Sequence, residues 1–258
     1  MRFVPLASGS QGNATLVEFD DCRLLVDAGL TAKELAKRLR SVQCEPESID
    51  YLLLSHEHAD HVRGAQRFST QFEVPIVAPW KTVMAMDRSP QAFAGWVELD
   101  VHGTVTLGTA TVHAFPVPHD AASPVGFVIE AGGRRIGIAT DVGHPTLDVV
   151  DALSGCDLLM LEANHDPLLL KDGPYPWRLK ERVSGQLGHL SNAEAAGVLK
   201  NSVDGRCQAV VLAHLSQQNN TPELARTSAQ RALRACGYES VAIKVARYHQ
   251  PLPAMHLA

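Results

Sequence analysis

The sequence predicts an α/β protein of two β-sheets sandwiched between helices, and three observations carry that expectation. Short apolar runs of strand length recur along the chain, capped helical segments alternate with them, and no Ser/Gly-rich linker or charge block divides the 258 residues. With 45% hydrophobic residues the chain can fill one large core or two small ones, and residues 1–258 read as a single domain. No internal repeat is visible. In the first half, β-type runs at 3–6, 14–19, 23–26, 51–54, 75–78, 104–107 and 111–114 are punctuated by Gly, Asp and Pro. Thr31-Ala32-Lys33-Glu34 has the form of a capping box, so a helix follows the third strand with Leu35, Ala36 and Leu39 on one face. In the second half, strands are expected at 125–130, 135–139, 158–162, 209–213 and 241–245. Two helices fall between the later ones. Ser191-Asn192-Ala193-Glu194 is another capping box, and Thr221-Pro222-Glu223 supplies an N-cap, a first-turn proline and an acidic first turn.

Composition narrows the function classes. The opening MRFVPLASGSQGN lacks the basic start and apolar core of a secretory signal, and no apolar run approaches the roughly 18–20 residues that span a bilayer. A cytoplasmic protein without a membrane partner is the expectation. The five cysteines (Cys22, Cys44, Cys156, Cys207 and Cys236) are scattered and never form a CxxC pair, so they read as reduced, mostly buried thiols. A net charge of -5 argues against a protein that coats nucleic acid non-specifically, yet not against an enzyme whose metals grip a phosphate.

Residues 54–64 read LSHEHADHVRG, directly behind the apolar run 51–54. Neutral imidazole and carboxylate are the ligand types that hold divalent transition metals. In extended backbone, residues two apart project to one side, so His56 and His58 can clasp one ion. Asp60 and His61 point elsewhere once the following residues 62–68 turn helical, which suits a second ion nearby.

An HxHxDH motif behind a buried strand resembles the metallo-β-lactamase superfamily, and the further motifs of that superfamily occur in order. They are Val117-Pro118-His119, Ala139-Thr140-Asp141-Val142-Gly143 and Ala213-His214-Leu215-Ser216. The resemblance implies the αββα sandwich of that superfamily, two mixed β-sheets flanked by helices. It also implies that His56, His58 and His119 hold one metal, that Asp60, His61 and His214 hold the other, and that Asp141 bridges the two with a hydroxide. Class B β-lactamases place cysteine where Asp141 stands, so antibiotic hydrolysis is not expected. The segments Ala7-Ser8-Gly9-Ser10-Gln11-Gly12-Asn13, Leu161-Glu162-Ala163-Asn164-His165-Asp166, Gly188-His189-Leu190-Ser191-Asn192 and 214–220 are similar to the YycJ (WalJ) branch, which is associated with exodeoxyribonuclease activity.

What the resemblance implies is a dinuclear hydrolase that cleaves phosphodiesters, with DNA as substrate and partner. Zinc is the first choice of metal from the imidazoles, while manganese and iron suit the aspartates. His189, just before a helix start, resembles the non-ligand histidine of ribonuclease Z that assists the leaving group. Asp60 and His189 are the catalytic candidates. Asp27 ends a buried strand and reads as a carboxylate that orients a ligand histidine. Ser8, Ser10 and Asn13 lie in a glycine-rich loop that can cradle a phosphate or serve as a plain hairpin. His165 is open between a substrate contact and a structural histidine. Tyr175 and Trp177 can stack bases while Arg178, Lys180 and Arg182 meet phosphates; an aromatic lid or a homodimer contact are the alternatives. A hydrolase of cyclic phosphates or thioesters and a non-catalytic metal-bound scaffold also stay open.

Overall fold

A computed structural model describes residues 1–19 and 21–257. Among them the strands fall, almost in chain order, into two seven-stranded sheets. The first sheet contains β1 (Arg2–Ala7), β2 (Ala14–Glu18), β3 (Arg23–Val26), β4 (Tyr51–Leu53), β5 (Ile76–Ala78) and β6 (Trp96–Glu98) side by side. The second contains β7 (Thr104–Leu107), β8 (Ala110–Pro116), β9 (Val125–Ala131), β10 (Arg134–Ala139), β11 (Leu158–Glu162), β12 (Ala209–Ala213) and β13 (Ala242–Val245). The two-residue β14 (Met255–His256) returns to the first sheet and pairs antiparallel with β1.

Each sheet begins antiparallel and ends parallel. Pairing is antiparallel from β1 to β3 and from β7 to β10, then parallel from β3 to β6 and from β10 to β13. Parallel neighbours require crossovers, and the helices supply them. In the first half these are α1 (Ala32–Ser41), α2 (Ala59–Val62), α3 (Ala65–Phe72) and α4 (Trp80–Ala85). In the second they are α5 (Leu147–Leu153), α6 (Pro167–Asp172), α7 (Trp177–Ser184), α8 (Asn192–Ser202) and α9 (Pro222–Ala235).

The apolar residues sort into three layers. Alternate residues of the inner strands face a core between the sheets, as Leu53, Leu158, Met160 and Val211 do, while Leu159, Leu161, Val210 and Leu212 pack outward beneath α5, α8 and α9. On the other flank Leu25, Leu52 and Ile76 pack beneath α1 and α3. Strands buried on both faces explain why the sequence shows continuous apolar runs rather than alternation. The α/β sandwich expected from the sequence is therefore the observed fold.

Local differences have local causes. The capping box at Ser191 closes in both directions, but at Thr31 only the hydroxyl accepts from the Glu34 amide, because the Glu34 carboxylate pairs with Arg38 at 2.8 Å. The helix expected over 62–68 comes in two pieces, α2 and α3, broken at Gly64. The Gly64 amide donates to the Ala28 carbonyl at 2.8 Å, and a Cβ there would lie 2.2 Å from the Leu30 carbonyl oxygen. Strands β6 and β14, and helices α4 to α7, were not legible in the sequence. Among the described residues no helix is long and apolar enough to cross a membrane.

Candidate metal centre

The carboxyl ends of β3, β4, β10, β11 and β12 deliver Asp27, the segment His56–His61, Asp141, Glu162 and His214 to one cleft, and His119 enters from the loop after β8. Three of these residues leave their strands with left-handed backbone: Asp27 at φ 62°, Asp141 at φ 57° and His214 at φ 53°. Such a conformation is strained for a residue with a Cβ, least so for Asp, and it turns the side chain sharply off the strand line.

Two clusters of ligand atoms result. In one, His56 Nε2 lies 3.1 Å and His119 Nε2 3.2 Å from His58 Nδ1. Nitrogens sharing a tetrahedral ion at metal–ligand lengths of about 2.0–2.1 Å would stand roughly 3.3–3.4 Å apart, so the triad has the spacing of a coordination site. In the other, Asp60 Oδ2 lies 3.6 Å from His61 Nε2 and 3.3 Å from His214 Nε2. Asp141 stands between, with Oδ2 2.9 Å from His61 Nε2 and Oδ1 3.8 Å from His119 Nε2. Its Oδ2 is buried and makes no aligned hydrogen bond. A buried, unsatisfied carboxylate oxygen is costly, and a cation among these donors would satisfy it. The donor set fits two divalent ions.

Outer acceptors fix the rings. Asp27 Oδ2 lies 2.7 Å from His61 Nδ1 and also accepts from the Ser55 hydroxyl, which sits 3.0 Å from His56 Nδ1. One carboxylate thus orients a histidine of each triad. His119 Nδ1 faces the Gly188 carbonyl at 3.1 Å, leaving Nε2 to point inward. Glu162, fully buried at the end of β11, holds both His214 Nδ1 at 2.9 Å and His189 Nδ1 at 2.8 Å on Oε1. Its Oε2 accepts the amides of Val142 and Leu190. Asp141, Glu162, His189 and His214 also lie close enough together to suggest a metal cluster of their own. We read that group as hydrogen bonding behind the centre, because both Nδ1 atoms are committed to Glu162. Sequence reasoning gave Glu162 no role; a charged residue closing the fully buried run 158–162 was the signal that marked it.

The electrostatics of the two triads differ. Burial, and next the neighbouring His61, push His56 well below the ordinary imidazole value, and burial lowers His119 as well. These rings are neutral and ready to coordinate. Burial opposes a charge on His61 and His214 too, but there Asp141, joined by Asp27 or by Asp60, prevails and holds both rings well above their usual value. Burial likewise opposes the Asp141 carboxylate, yet His214 and His61 hold it well below the carboxylate range. Without metal, the second triad stores protons. Burial is also outweighed at His189, whose ring Glu162 keeps above the ordinary value.

Beside the centre lies a cavity of about 180 Å³ bordered by Ser10, His119, Tyr175, Arg182, His189 and His214. Arg182 is held at its mouth by Asp120, with contacts of 2.8 and 2.9 Å. Among the substrate-contact candidates, Ser10 and Tyr175 border this cavity, and Ser10 is exposed. Ser8 is buried and its hydroxyl accepts the His214 amide at 2.8 Å, so it buttresses a strand end. Asn13 is buried as well; its Oδ1 accepts the Gly9 amide at 2.9 Å and its Nδ2 lies 3.0 Å from His61 Nε2. His165 and Trp177 border a different cavity, and Arg178 is exposed on α7 outside both. Four of the cysteines are buried and Cys236 is exposed, all as free thiols.

Residues 22–215 match the family described as the Beta-lactamase superfamily domain. The chain is 34% identical over 230 residues to the exodeoxyribonuclease WalJ of Streptococcus pneumoniae, covering 87% of this chain and 85% of the relative. It is 32% identical over 244 residues to the exodeoxyribonuclease YycJ of Bacillus anthracis, covering 92% and 91%. Among solved structures, the metallo-beta-lactamase fold protein YhfI from Bacillus subtilis superposes with a TM-score of 0.75 at 18% identity, over 98% of this chain and 100% of that one.

Proposed function

Because the chain belongs to the beta-lactamase superfamily, a family of metal-dependent hydrolases whose matched domain here spans every ligand candidate from His56 to His214, we propose that it is a dinuclear phosphodiesterase acting on DNA as an exonuclease. The observation that carries the proposal is the pair of triads with Asp141 between them, beside a histidine that is not needed as a ligand. The kinship with proteins named exodeoxyribonuclease supports DNA as the substrate.

His56, His58 and His119 would hold one ion, Asp60, His61 and His214 the other, and Asp141 both. Bound there, two divalent ions would supply a water activated near neutral pH and would draw charge from the phosphoryl oxygens. Zinc suits the imidazoles, while the two aspartates also admit manganese or iron. The protein's own part is to orient and to move one proton. Asp27 and Glu162 hold the ligand rings in the tautomer that turns Nε2 inward. With Nδ1 tied to Glu162, His189 keeps Nε2 free to donate a proton to the departing oxygen. Arg182, poised on Asp120 at the cavity mouth, is placed to exchange that carboxylate for a phosphate.

Metal analysis together with assays on end-labelled DNA, RNA and a generic phosphodiester tests the proposal. Close to two transition-metal ions per chain, with nucleotides released from DNA ends, is the expected result. A reproducible content of one or less after reconstitution would overturn the dinuclear reading, and a metal-loaded protein that hydrolyses only the small diester would overturn the nuclease.

A further inference from the structure

Helix α7 is a wall between two cavities. Leu179, Arg182 and Val183 face the cavity of the metal centre, whereas Trp177, Lys180, Glu181 and Ser184, at i, i+3, i+4 and i+7, face a second one of about 220 Å³. His165 forms part of that second cavity, and it is an anomaly. Its main chain is fixed, since its carbonyl accepts the Asn192 amide at 2.8 Å and the next residue, Asp166, donates to the Asn219 carbonyl at 2.8 Å and caps α6. The residue is only 3% exposed, yet its Nδ1 has no hydrogen-bond partner among the described residues. A buried polar atom without a partner is costly, and a ligand group or a bound water entering this cavity would supply the missing bond. Trp177, 71% exposed at the head of α7, lines the same cavity and leaves its indole face free to take a planar ring. Lys171 and Lys180 border the same space, with Lys180 Nζ donating to the Lys171 carbonyl at 2.5 Å.

We propose that this second cavity is a nucleobase subsite, in which Trp177 stacks on a base flanking the scissile linkage, His165 hydrogen-bonds its edge, and Lys171 and Lys180 meet the adjoining phosphate. A flat ring platform, one buried polar group and cations at the rim are what single-stranded nucleic acid uses when it is held without strong sequence preference. The strand would cross over α7, with its reacting phosphate on one side and the held base on the other. This assignment rests on the nuclease reading given above.

The test uses the metal-loaded protein and single-stranded oligonucleotides, intact or with one base removed at successive positions from the cleaved end. Hydrolysis of bis(p-nitrophenyl) phosphate reports the state of the metal centre in each variant. Trp177→Ala, at an exposed position, should raise KM for the intact oligonucleotide by roughly ten-fold or more, the scale of one lost stacking contact. One abasic position should raise the parental KM by a similar factor, and on that substrate Trp177→Ala should add nothing further. His165→Asn, which keeps a polar group, should weaken binding less than His165→Ala, with melting temperatures separating this from loss of fold. An intact-oligonucleotide KM that does not move in Trp177→Ala overturns the subsite while leaving the nuclease standing. If that variant instead converts a dimer to a monomer, Trp177 belongs to a contact between copies and the subsite also falls. A parental protein that hydrolyses the small diester but neither binds nor cleaves the oligonucleotide overturns the nuclease reading, and this one with it.

Discussion

The two sheets are variations on one plan, and their differences show how a symmetric frame acquires an asymmetric centre. Strands β1 to β6 and β8 to β13 follow the same succession of antiparallel and parallel pairs. Each sheet carries a left-handed aspartate just after its third strand in that series, Asp27 and Asp141, with a glycine two residues on. Neither glycine has room for a Cβ: at Gly29 it would meet the Asp60 carbonyl oxygen at 1.6 Å, and at Gly143 the Gln186 carbonyl oxygen at 2.1 Å. The fates of the two carboxylates nevertheless diverge. In the first half, the segment after β4 inserts His56 and His61 between Asp27 and the cleft, so Asp27 supports rings from behind. In the second, β11 ends in Glu162 and is followed by Ala163, no imidazole intervenes, and Asp141 reaches both triads. The frame sets a carboxylate's direction; the neighbouring loop decides what it touches.

The strongest way to break this comparison is to remove each aspartate in turn. Asp141→Ala should cut turnover by more than about a hundred-fold and lower metal content below two per chain, since both triads lose a shared donor. Asp27→Ala should weaken metal affinity by about 10- to 100-fold while leaving two sites that fill at excess metal. Metal titration with activity at saturation separates the two, and equal behaviour would refute the division of roles.

The Glu162 side of the second sheet offers the next test. His189→Ala should keep both metals and slow cleavage of a DNA linkage by roughly 10² or more, while an activated p-nitrophenyl diester, whose leaving group needs no proton, suffers far less. Equal slowing of both substrates would assign His189 to binding or support instead.

The contrast between the triads predicts opposed pH trends. In the metal-free protein, His61 and His214 are raised, so their contribution to stability is fully present below the unfolded imidazole value near 6.5 and is lost as pH rises through their folded values. Thermal melts of metal-free protein should therefore fall between neutral and alkaline pH. Metal must displace those protons, so metal affinity should rise over the same interval, and adding zinc at pH 7 to weakly buffered protein should release protons. A metal-free melt that does not decline with pH would contradict the stored-proton picture.

The smallest effect concerns the two helix starts. Ser191→Ala breaks a reciprocal box and should cost about 1 kcal/mol, lowering the melting temperature by roughly 2–4 °C, whereas Thr31→Ala removes one bond of 3.3 Å and should cost less.

Much of this was legible in the sequence because it is local. Strands β3, β7, β11 and β12 run over the residues expected for them, since short apolar runs between turn residues have few other uses. The HxHxDH segment and the motifs at His119, Asp141 and His214 named the residues that the fold brings together. What stayed hidden depends on distant partners. Edge strands β6 and β14 are short and held by one neighbour each, and α6 and α7 are amphipathic over too few residues to show a period. Glu162 could be seen as a buried charge but not as the acceptor for two rings 27 and 52 residues away. The repeat between the halves was invisible because only Asp27-Ala28-Gly29 and Asp141-Val142-Gly143 retain it in residues. Nor could sequence distinguish Tyr175, just before α7, from Trp177 at its head, which border different cavities.

The near-coincidence of chain order and sheet order bears on synthesis. A ribosome delivers β2 to β6 before any strand of the second sheet, so His56, His58, Asp60 and His61 emerge while Asp141 and His214 are still unmade. Such an intermediate lacks His119, which completes one cluster, Asp141 and His214, which complete the other, and His189 beside them. On the proposed reading, hydrolysis would thus be withheld until translation has passed His214, the last of the ligand candidates to be made.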